Sequence, residues 1–191
     1  MFPLIIVPDE DLLLGVNIIE YPKGKGVRQC ERQAVLALLQ MMLGVKTVVI
    51  EHKADGMPLL EGWHVSISHT KGFAAVLLSK RFNVGVDIEY NSIRVSKIAT
   101  RFLSEDEFVS DVSQQLVFWT AKESVFKLFS EDRLTFGNMV VSAKGPIVLS
   151  DSHLSLKSQQ VLVKNVKRNK SIVVYSFVTK AFTLSYCCCS L

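Results

Sequence analysis

Cysteine is scarce in this chain of 191 residues: the four cysteines are Cys30 and the run Cys187-Cys188-Cys189. Neighbouring cysteines rarely reach disulfide geometry with each other, and the spacing matches no zinc-binding pattern. The sequence therefore predicts neither a disulfide framework nor a zinc site, and it favours a reducing compartment.

Long apolar runs and a basic leader are also missing. The longest apolar stretch, residues 34–43, is interrupted by Gln40 and is too short to cross a bilayer. The opening Met1-Phe2-Pro3 lacks the basic region of a signal peptide. A net charge of +4, from 22 basic and 18 acidic residues, is too mild to indicate nucleic-acid binding. We therefore expect a cytoplasmic protein with no membrane or nucleic-acid partner, and the basic balance favours an acidic partner.

A hydrophobic content of 49% is ample for a continuous core in one domain or in two small packed halves. Residues 28–43 contain no glycine or proline and predict a long helix that ends at Gly44, and residues 114–129 predict a second one. Short helical patterns cover residues 95–102 and 105–109. The order of elements indicates two similar halves that meet near residue 84. The predicted strands cover residues 4–7, 15–20, 48–51, 64–68, 73–79, 84–90, 139–142, 147–150, 160–166, 172–178 and 182–187.

One predicted strand carries an acidic pair. In Val84-Gly85-Val86-Asp87-Ile88-Glu89-Tyr90 the two acids are two residues apart, so both carboxylates leave the same face of the sheet. Like charges this close repel each other, and a shared proton or a bound cation relieves the repulsion. The pair alone is also compatible with a solvated sheet edge.

The second long helix adds Glu123 and Lys127, four residues apart. Glu123 can supply a third oxygen ligand, and Lys127 can reach an anion held by the same cation. The same spacing also occurs in ordinary surface ion pairs. We expect the aromatic residues around Glu123, which are Phe118, Trp119 and Phe126, to be core residues that orient it.

Three motifs in register resemble those of the 4′-phosphopantetheinyl transferases, in the two-half monomeric type that activates surfactin synthetase. The resemblance runs from about Trp63 to Lys127. In chain order the motifs are Ile67-Ser68-His69-Thr70, Val84-Gly85-Val86-Asp87-Ile88-Glu89 and Trp119-Thr120-Ala121-Lys122-Glu123-Ser124-Val125-Phe126-Lys127.

The resemblance implies an α/β (α+β) fold of two pseudo-symmetric halves, residues 1–83 and 84–191, each with a long helix on a small, mainly antiparallel sheet. The implied reaction moves the phosphopantetheine arm of coenzyme A to a serine of an acyl or peptidyl carrier protein and releases 3′,5′-ADP. The active site would lie between the halves, and the protein would be a monomer.

The resemblance also implies roles for individual residues. Asp87, Glu89 and Glu123 correspond to Mg²⁺ ligands, with Glu123 or a metal-bound water as the base for the carrier serine. Lys127 would stabilise charge on the leaving phosphate, a contribution on the order of a few kcal/mol. Ser68 and His69 correspond to contacts with a phosphate of coenzyme A. The carrier would dock near residues 101–109.

Two positions depart from the family pattern. Met57 replaces a lysine in the Gly-x-Pro turn Gly56-Met57-Pro58, and Leu36 replaces an arginine in the first long helix. A thioether cannot pair with a phosphate. Four nearby basic residues could take over the phosphate contacts, although a solvated basic turn explains each of them equally well; they are Lys23, Lys25, Arg28 and Arg32.

Three functions therefore stay open at this point. The first is the Mg²⁺-dependent transferase. The second is a divergent module that binds coenzyme A or a carrier protein with weak or no transfer. The third is a hydrolase that uses the same metal chemistry on a nucleotide pyrophosphate, with water as the nucleophile.

Overall fold

The computed structural model describes residues 3–149 and 157–190 of the chain. The first part forms a four-stranded antiparallel sheet with the order β1-β2-β6-β5. The long helix α1, Val27–Leu43, packs on this sheet, and Gly44 ends it in the left-handed conformation with φ 66°. A small hairpin, β3–β4, lies between α1 and β5. The strands are β1 Leu4–Asp9, β2 Leu12–Ile18, β3 Glu51–His52, β4 Pro58–Leu59, β5 His64–Thr70 and β6 Phe73–Ser79.

The second part forms a five-stranded antiparallel sheet with the order β7-β11-β10-β9-β8. The short helix α2, Ala99–Phe102, follows β7 and lies between 3-10 turns at Ile93–Ile98 and Glu105–Glu107. The long helix α3, Val112–Leu128, packs on this sheet, and Asp111 caps its start by accepting a hydrogen bond from the Gln114 N–H. The strands are β7 Phe82–Tyr90, β8 Met139–Leu149, β9 Lys157–Asn165, β10 Lys170–Val178 and β11 Phe182–Ser190.

The hydrophobic core consists of three clusters. One lies between α1 and the first sheet, and one lies between α3 and the second sheet. The third joins the faces of the two sheets, with Leu14 and Leu77 from the first sheet against Val86, Ile88 and Leu184 from the second. The alternating residues of β7 therefore face two ways: Val84, Val86 and Ile88 pack against the first sheet, and the acidic pair lies on the other face.

This architecture confirms the predicted mixed α+β fold with antiparallel sheets and a long helix on each. The chain passes from the first sheet to the second between Ser79 and Phe82, close to the predicted boundary at residues 83 and 84. The division into pseudo-symmetric halves stays a prediction. No helix among the described residues is long and apolar enough to cross a bilayer.

Several predicted elements have different bounds. The predicted strand at residues 48–51 is wrong up to Ile50, because Val48–Ile50 form no regular structure and Val48 and Ile50 pack under α1 as a loop. The two short strands predicted at residues 139–142 and 147–150 are one strand, β8, with register irregularities against β9, and Ser150 lies outside the described residues. The helical pattern at residues 95–102 is divided equally between the end of a 3-10 turn, up to Ile98, and the α-helix Ala99–Phe102. The helix predicted at 105–109 is a 3-10 turn that ends at Glu107.

Candidate active site

A glycine lets α3 approach β7 closely. A Cβ atom at Gly85 would overlap the carbonyl oxygen of Ser124 and lie 3.0 Å from the Leu128 nitrogen. Because helix backbone fills this space, only glycine fits here without a shift of the helix. The close contact brings Lys127 over the strand, where its Nζ donates to the Val86 carbonyl at 3.0 Å and to Asp87 Oδ1 at 2.8 Å.

Asp87 is the central acid of this site and is only 5% exposed. Its Oδ1 accepts hydrogen bonds from Lys127 at 2.8 Å and from the Ser68 hydroxyl at 2.7 Å. Its Oδ2 is buried and has no hydrogen-bond partner among the described residues. A buried carboxylate oxygen without a partner costs about 1–3 kcal/mol or more, and a bound cation removes that cost.

Two further carboxylates surround Asp87. Burial, with repulsion from Asp87 and then Glu89, raises the pKa of Glu123 to about 7, although Lys127 opposes the shift. Burial also raises the pKa of Glu89, against a hydrogen bond from Thr70, and Asp87 raises it further. Three acids that disfavour each other's charge, with one unpartnered buried oxygen, are a donor set that fits Mg²⁺, which prefers oxygen ligands.

The ligand atoms of Asp87, Glu89 and Glu123 do not all lie within 4.8 Å of one another. Asp87 and Glu89 each point one oxygen at a hydroxyl of β5. Among the described residues, the only acidic group with ligand atoms all within 4.8 Å of one another lies in the exposed turn after β1 and consists of Asp9, Glu10 and Asp11. Asp11 there pairs with Arg81 at 2.6 Å. Exposed acids of this kind are common without an ion, so this turn supports no metal site.

A cavity of about 530 Å³ lies between α1 and β5. Three of the residues predicted to bind coenzyme A line it, namely Arg28, Arg32 and His69, while Leu36 contributes to its apolar wall. The His69 Nδ1 lies 3.6 Å from Glu31 Oε1. Two of the four predicted basic residues and the predicted histidine therefore line one cavity.

The other two predicted basic residues lie elsewhere. Lys25 Nζ donates to Gln33 Oε1 at 3.4 Å and lines a separate cavity on the other side of α1. Lys23 is exposed in the turn before α1 and is not part of the lining of the cavity with Arg28. The turn that starts α1 thus divides the basic residues between two faces of the molecule.

A second cavity, of about 400 Å³, extends from the first to Asp87. It shares His52, Ile67 and His69 with the first cavity and reaches Asp87 and Lys127. Ser68 also lines it, but the Ser68 hydroxyl is 2.7 Å from Asp87 Oδ1 and accepts the Ile88 N–H at 3.3 Å. The phosphate contact predicted for Ser68 stays a prediction, and the structure adds a contact with the acid.

A third cavity, of about 500 Å³, continues past Lys127. Its walls are largely apolar and include Phe126, Leu134 and Met57, whose sulfur accepts a hydrogen bond from the Ser130 hydroxyl at 3.3 Å. Phe126 is 37% exposed here, so the prediction that it is a core residue is wrong. Phe118 packs in the core between α3 and the second sheet, whereas Phe126 lines this open cavity.

Sequence analysis missed a buried ion pair on another face of α3. Lys122 donates to Glu107 Oε2 and to the Phe102 carbonyl, both at 2.7 Å, and both side chains are almost fully buried. Glu107 also accepts hydrogen bonds from the Ser104 and Val141 N–H groups at 2.9 and 2.6 Å. Burial alone would raise the pKa of Glu107, but these donors lower it overall. The pair ties the segment before α3 to the helix that carries Glu123.

A family model matches residues 83–185, from β7 to β11, and describes the 4′-phosphopantetheinyl transferase superfamily. The match covers more than half of the chain. The chain belongs to the 4′-phosphopantetheinyl transferase superfamily. No curated protein matches the chain. The matched region contains Asp87, Glu89, Glu123 and Lys127, while α1, Ser68 and His69 lie before it. As a member of the superfamily the chain is a transferase, and coenzyme A and carrier proteins are the partners its family implies.

Proposed function

We propose that this chain is an Mg²⁺-dependent phosphopantetheinyl transferase. It takes the phosphopantetheine arm from coenzyme A, joins it to a serine of an acyl or peptidyl carrier protein and releases 3′,5′-ADP. Besides family membership, the observation that supports this most directly is the unpartnered, buried Oδ2 of Asp87 beside two other carboxylates and Lys127.

The acids of the site would hold the metal, and Lys127 would act on the phosphate. We assign Asp87, Glu89 and Glu123 as metal ligands. When bound, Mg²⁺ neutralises charge on the pyrophosphate that is attacked. Glu123 takes the proton of the acceptor serine, and Lys127 stabilises the charge that develops on the leaving phosphate. Lys127 is close to both the acids and the cavities, because its Nζ contacts Asp87 and its side chain lines the second and third cavities.

The connected cavities support one orientation of coenzyme A. The nucleotide lies in the cavity with Arg28, Arg32 and His69, and the pyrophosphate crosses the second cavity next to Asp87. The arm then extends past Lys127 into the largely apolar third cavity. Arg28 and Arg32 therefore take the role of the basic residue that Leu36 replaces, and we assign no phosphate contact to Met57, Lys23 or Lys25.

The carrier protein approaches from the segment after β7. This segment exposes two large apolar side chains, Ile93 at 70% and Phe108 at 64%. Arg94, Lys97 and Arg101 add positive charge between them, which suits an acidic partner. We propose that this surface, including the predicted residues 101–109, forms the docking site.

The finer classification follows from the same arrangement. Each sheet carries one long helix, and a glycine lies under each helix: Gly15 under α1 and Gly85 under α3. This parallel supports two halves, residues 1–83 and 84–191, as in the monomeric type that activates surfactin synthetase. We propose that the protein acts in the cytoplasm as a monomer, since the site is shared by the two halves of one chain.

The test is an assay with purified protein, coenzyme A, Mg²⁺ and a panel of apo carrier proteins, read by intact mass. We expect one carrier to gain the mass of the phosphopantetheine arm in the presence of Mg²⁺, and no gain after chelation. Glu123→Gln should abolish transfer with the fold intact, because it keeps the shape of the side chain and removes the charge. Glu131→Gln is the matched control, since the Glu131 side chain bonds only to the exposed Lys53 within the described part of the chain.

Two results would contradict the proposal. Tight metal-dependent binding of coenzyme A without product on any carrier would indicate a binding module. Release of phosphopantetheine from coenzyme A without any carrier would indicate a hydrolase.

A further inference from the structure

Three hydroxyl groups connect the two sheets. They belong to alternate residues of β5, so they lie on the same face of that strand, and each accepts a hydrogen bond from a backbone N–H of β7. The bonds are Val86 N–H to Ser66 at 3.0 Å, Ile88 N–H to Ser68 at 3.3 Å and Tyr90 N–H to Thr70 at 3.3 Å.

The hydroxyls supply hydrogen-bond acceptors to the outer edge of β7. Among the strands that the structure describes, β7 is the last of its sheet and pairs only with β11. Its outer N–H groups would be left without acceptors beside the first sheet, and buried N–H groups of this kind are costly. The side chains of β5 supply the acceptors, so β5 and β7 are joined by hydroxyls rather than by a backbone ladder.

The three hydroxyls differ in the groups to which they donate hydrogen bonds. The Thr70 hydroxyl donates to Glu89 Oε2 at 2.9 Å, and the Ser68 hydroxyl donates to Asp87 Oδ1 at 2.7 Å. Within the described residues Ser66 makes only the bond to the Val86 N–H. A hydroxyl has one proton, and a donor to its lone pairs strengthens its own donation. Thr70 and Ser68 therefore hold one oxygen of an acid in place, and Ser66 does not.

We propose that Thr70 is a positioning residue for Glu89. By holding Oε2 it restricts the orientations of the carboxylate before a cation binds, so less side-chain freedom is lost on binding. Removal of such an outer partner typically weakens metal binding by roughly 10-fold to 100-fold. The proposal depends on the proposed function only in treating Glu89 as a metal ligand. Ser68 is less suitable for a test, because it also lines the cavity assigned to the pyrophosphate.

The experiment measures binding of Mn²⁺ to the full chain without coenzyme A, by calorimetry or by electron paramagnetic resonance. Thr70→Val removes the hydroxyl and keeps the size of the side chain, and we expect Mn²⁺ affinity to fall about 10-fold. Thr70→Ser keeps the hydroxyl and should bind Mn²⁺ as the wild type does. Ser66→Ala is the matched control: like Thr70→Val it leaves one N–H of β7 without its acceptor, but it should leave the Mn²⁺ affinity unchanged.

The outcomes separate this proposal from the metal site itself. If the wild type binds no Mn²⁺, or if Glu89→Gln binds it as tightly as the wild type, then Glu89 is not a ligand and both proposals fail. If the wild type binds Mn²⁺ and Thr70→Val weakens binding no more than Ser66→Ala, positioning by Thr70 is refuted and the metal site stands. Circular dichroism establishes folding, and Thr70→Ala replaces Thr70→Val in the same comparison if the valine variant does not fold.

Discussion

Replacement of Gly85 by alanine tests whether the close contact between α3 and β7 builds the site. The new methyl group would overlap the Ser124 carbonyl and lie 3.0 Å from the Leu128 nitrogen, and both are backbone atoms that cannot rotate away. The helix itself must move. Overpacking of a core typically costs about 1–3 kcal/mol, and we expect the upper end or more, because no flexible side chain absorbs the clash. For a chain of this size, about 3 kcal/mol lowers the melting temperature by roughly 6–12 °C.

Two other glycines provide graded controls. At Gly15 an added Cβ lies 2.6 Å from the Met42 sulfur and 2.9 Å from Leu38 Cδ1, both of which belong to flexible side chains. We expect Gly15→Ala to be less destabilising than Gly85→Ala. At Gly137 the nearest atom, Thr135 Oγ1, is 3.9 Å away, so Gly137→Ala should change stability by about 0.5 kcal/mol or less.

Metal binding separates local from global effects in this series. A shift of α3 moves Glu123 and Lys127 away from Asp87, so Gly85→Ala should weaken binding of Mn²⁺, measured by titration at a temperature where every variant is folded. Gly15→Ala should not, because it perturbs α1 and the first sheet. The reasoning is refuted if Gly85→Ala melts within the range of Gly137→Ala, or if Gly15→Ala weakens Mn²⁺ binding as much.

Two further predictions concern α3. Lys122→Met should cost about 3–5 kcal/mol, because it leaves Glu107 buried without its cation, whereas Lys53→Met, which breaks only the exposed pair with Glu131, should cost less than about 1 kcal/mol in the same chemical denaturation; equal losses would contradict this. With a chelator present to remove metal, the melting temperature of Glu123→Gln should rise relative to that of the wild type as the pH increases from 5 to 8. The folded state holds an extra proton on Glu123 between the ordinary pKa of 4.5 and about 7, so the wild type loses stability across that range, and a difference that does not change with pH would refute the assignment.

The sequence predicts the secondary structure best where one local rule decides. The run without glycine or proline in α1 ends at Gly44, which has the expected left-handed conformation. The acidic pair in β7 is also a local pattern, because a two-residue spacing places Asp87 and Glu89 on one face of any strand. The strand predicted over Val48–Ile50 is wrong because a short apolar run fits a loop packed under a helix as well as it fits a strand.

The parts of the site that depend on tertiary contacts could not be predicted in the same way. The basic residues around the start of α1 have similar sequence signals, and only the direction of the chain there separates Lys25 from Arg28. Lys122 and Glu107 are 15 residues apart, beyond any helical spacing, so nothing local indicates their contact. The alternating hydroxyl residues of β5 can be read from the sequence, but the groups that they contact depend on which strand edge lies opposite.

β5 accounts for the position of the site between the two sheets. Successive residues of a strand point to opposite faces, so Ser68 contacts β7 while His69 lines the cavity beside α1. One strand thus contacts an acid of the second sheet and contributes His69 to the wall of the cavity beside α1. Because the hydroxyl bonds join β5 to β7, they help to hold Asp87 at its distance from the proposed nucleotide cavity. A change that loosens this junction should therefore move Asp87 relative to that cavity.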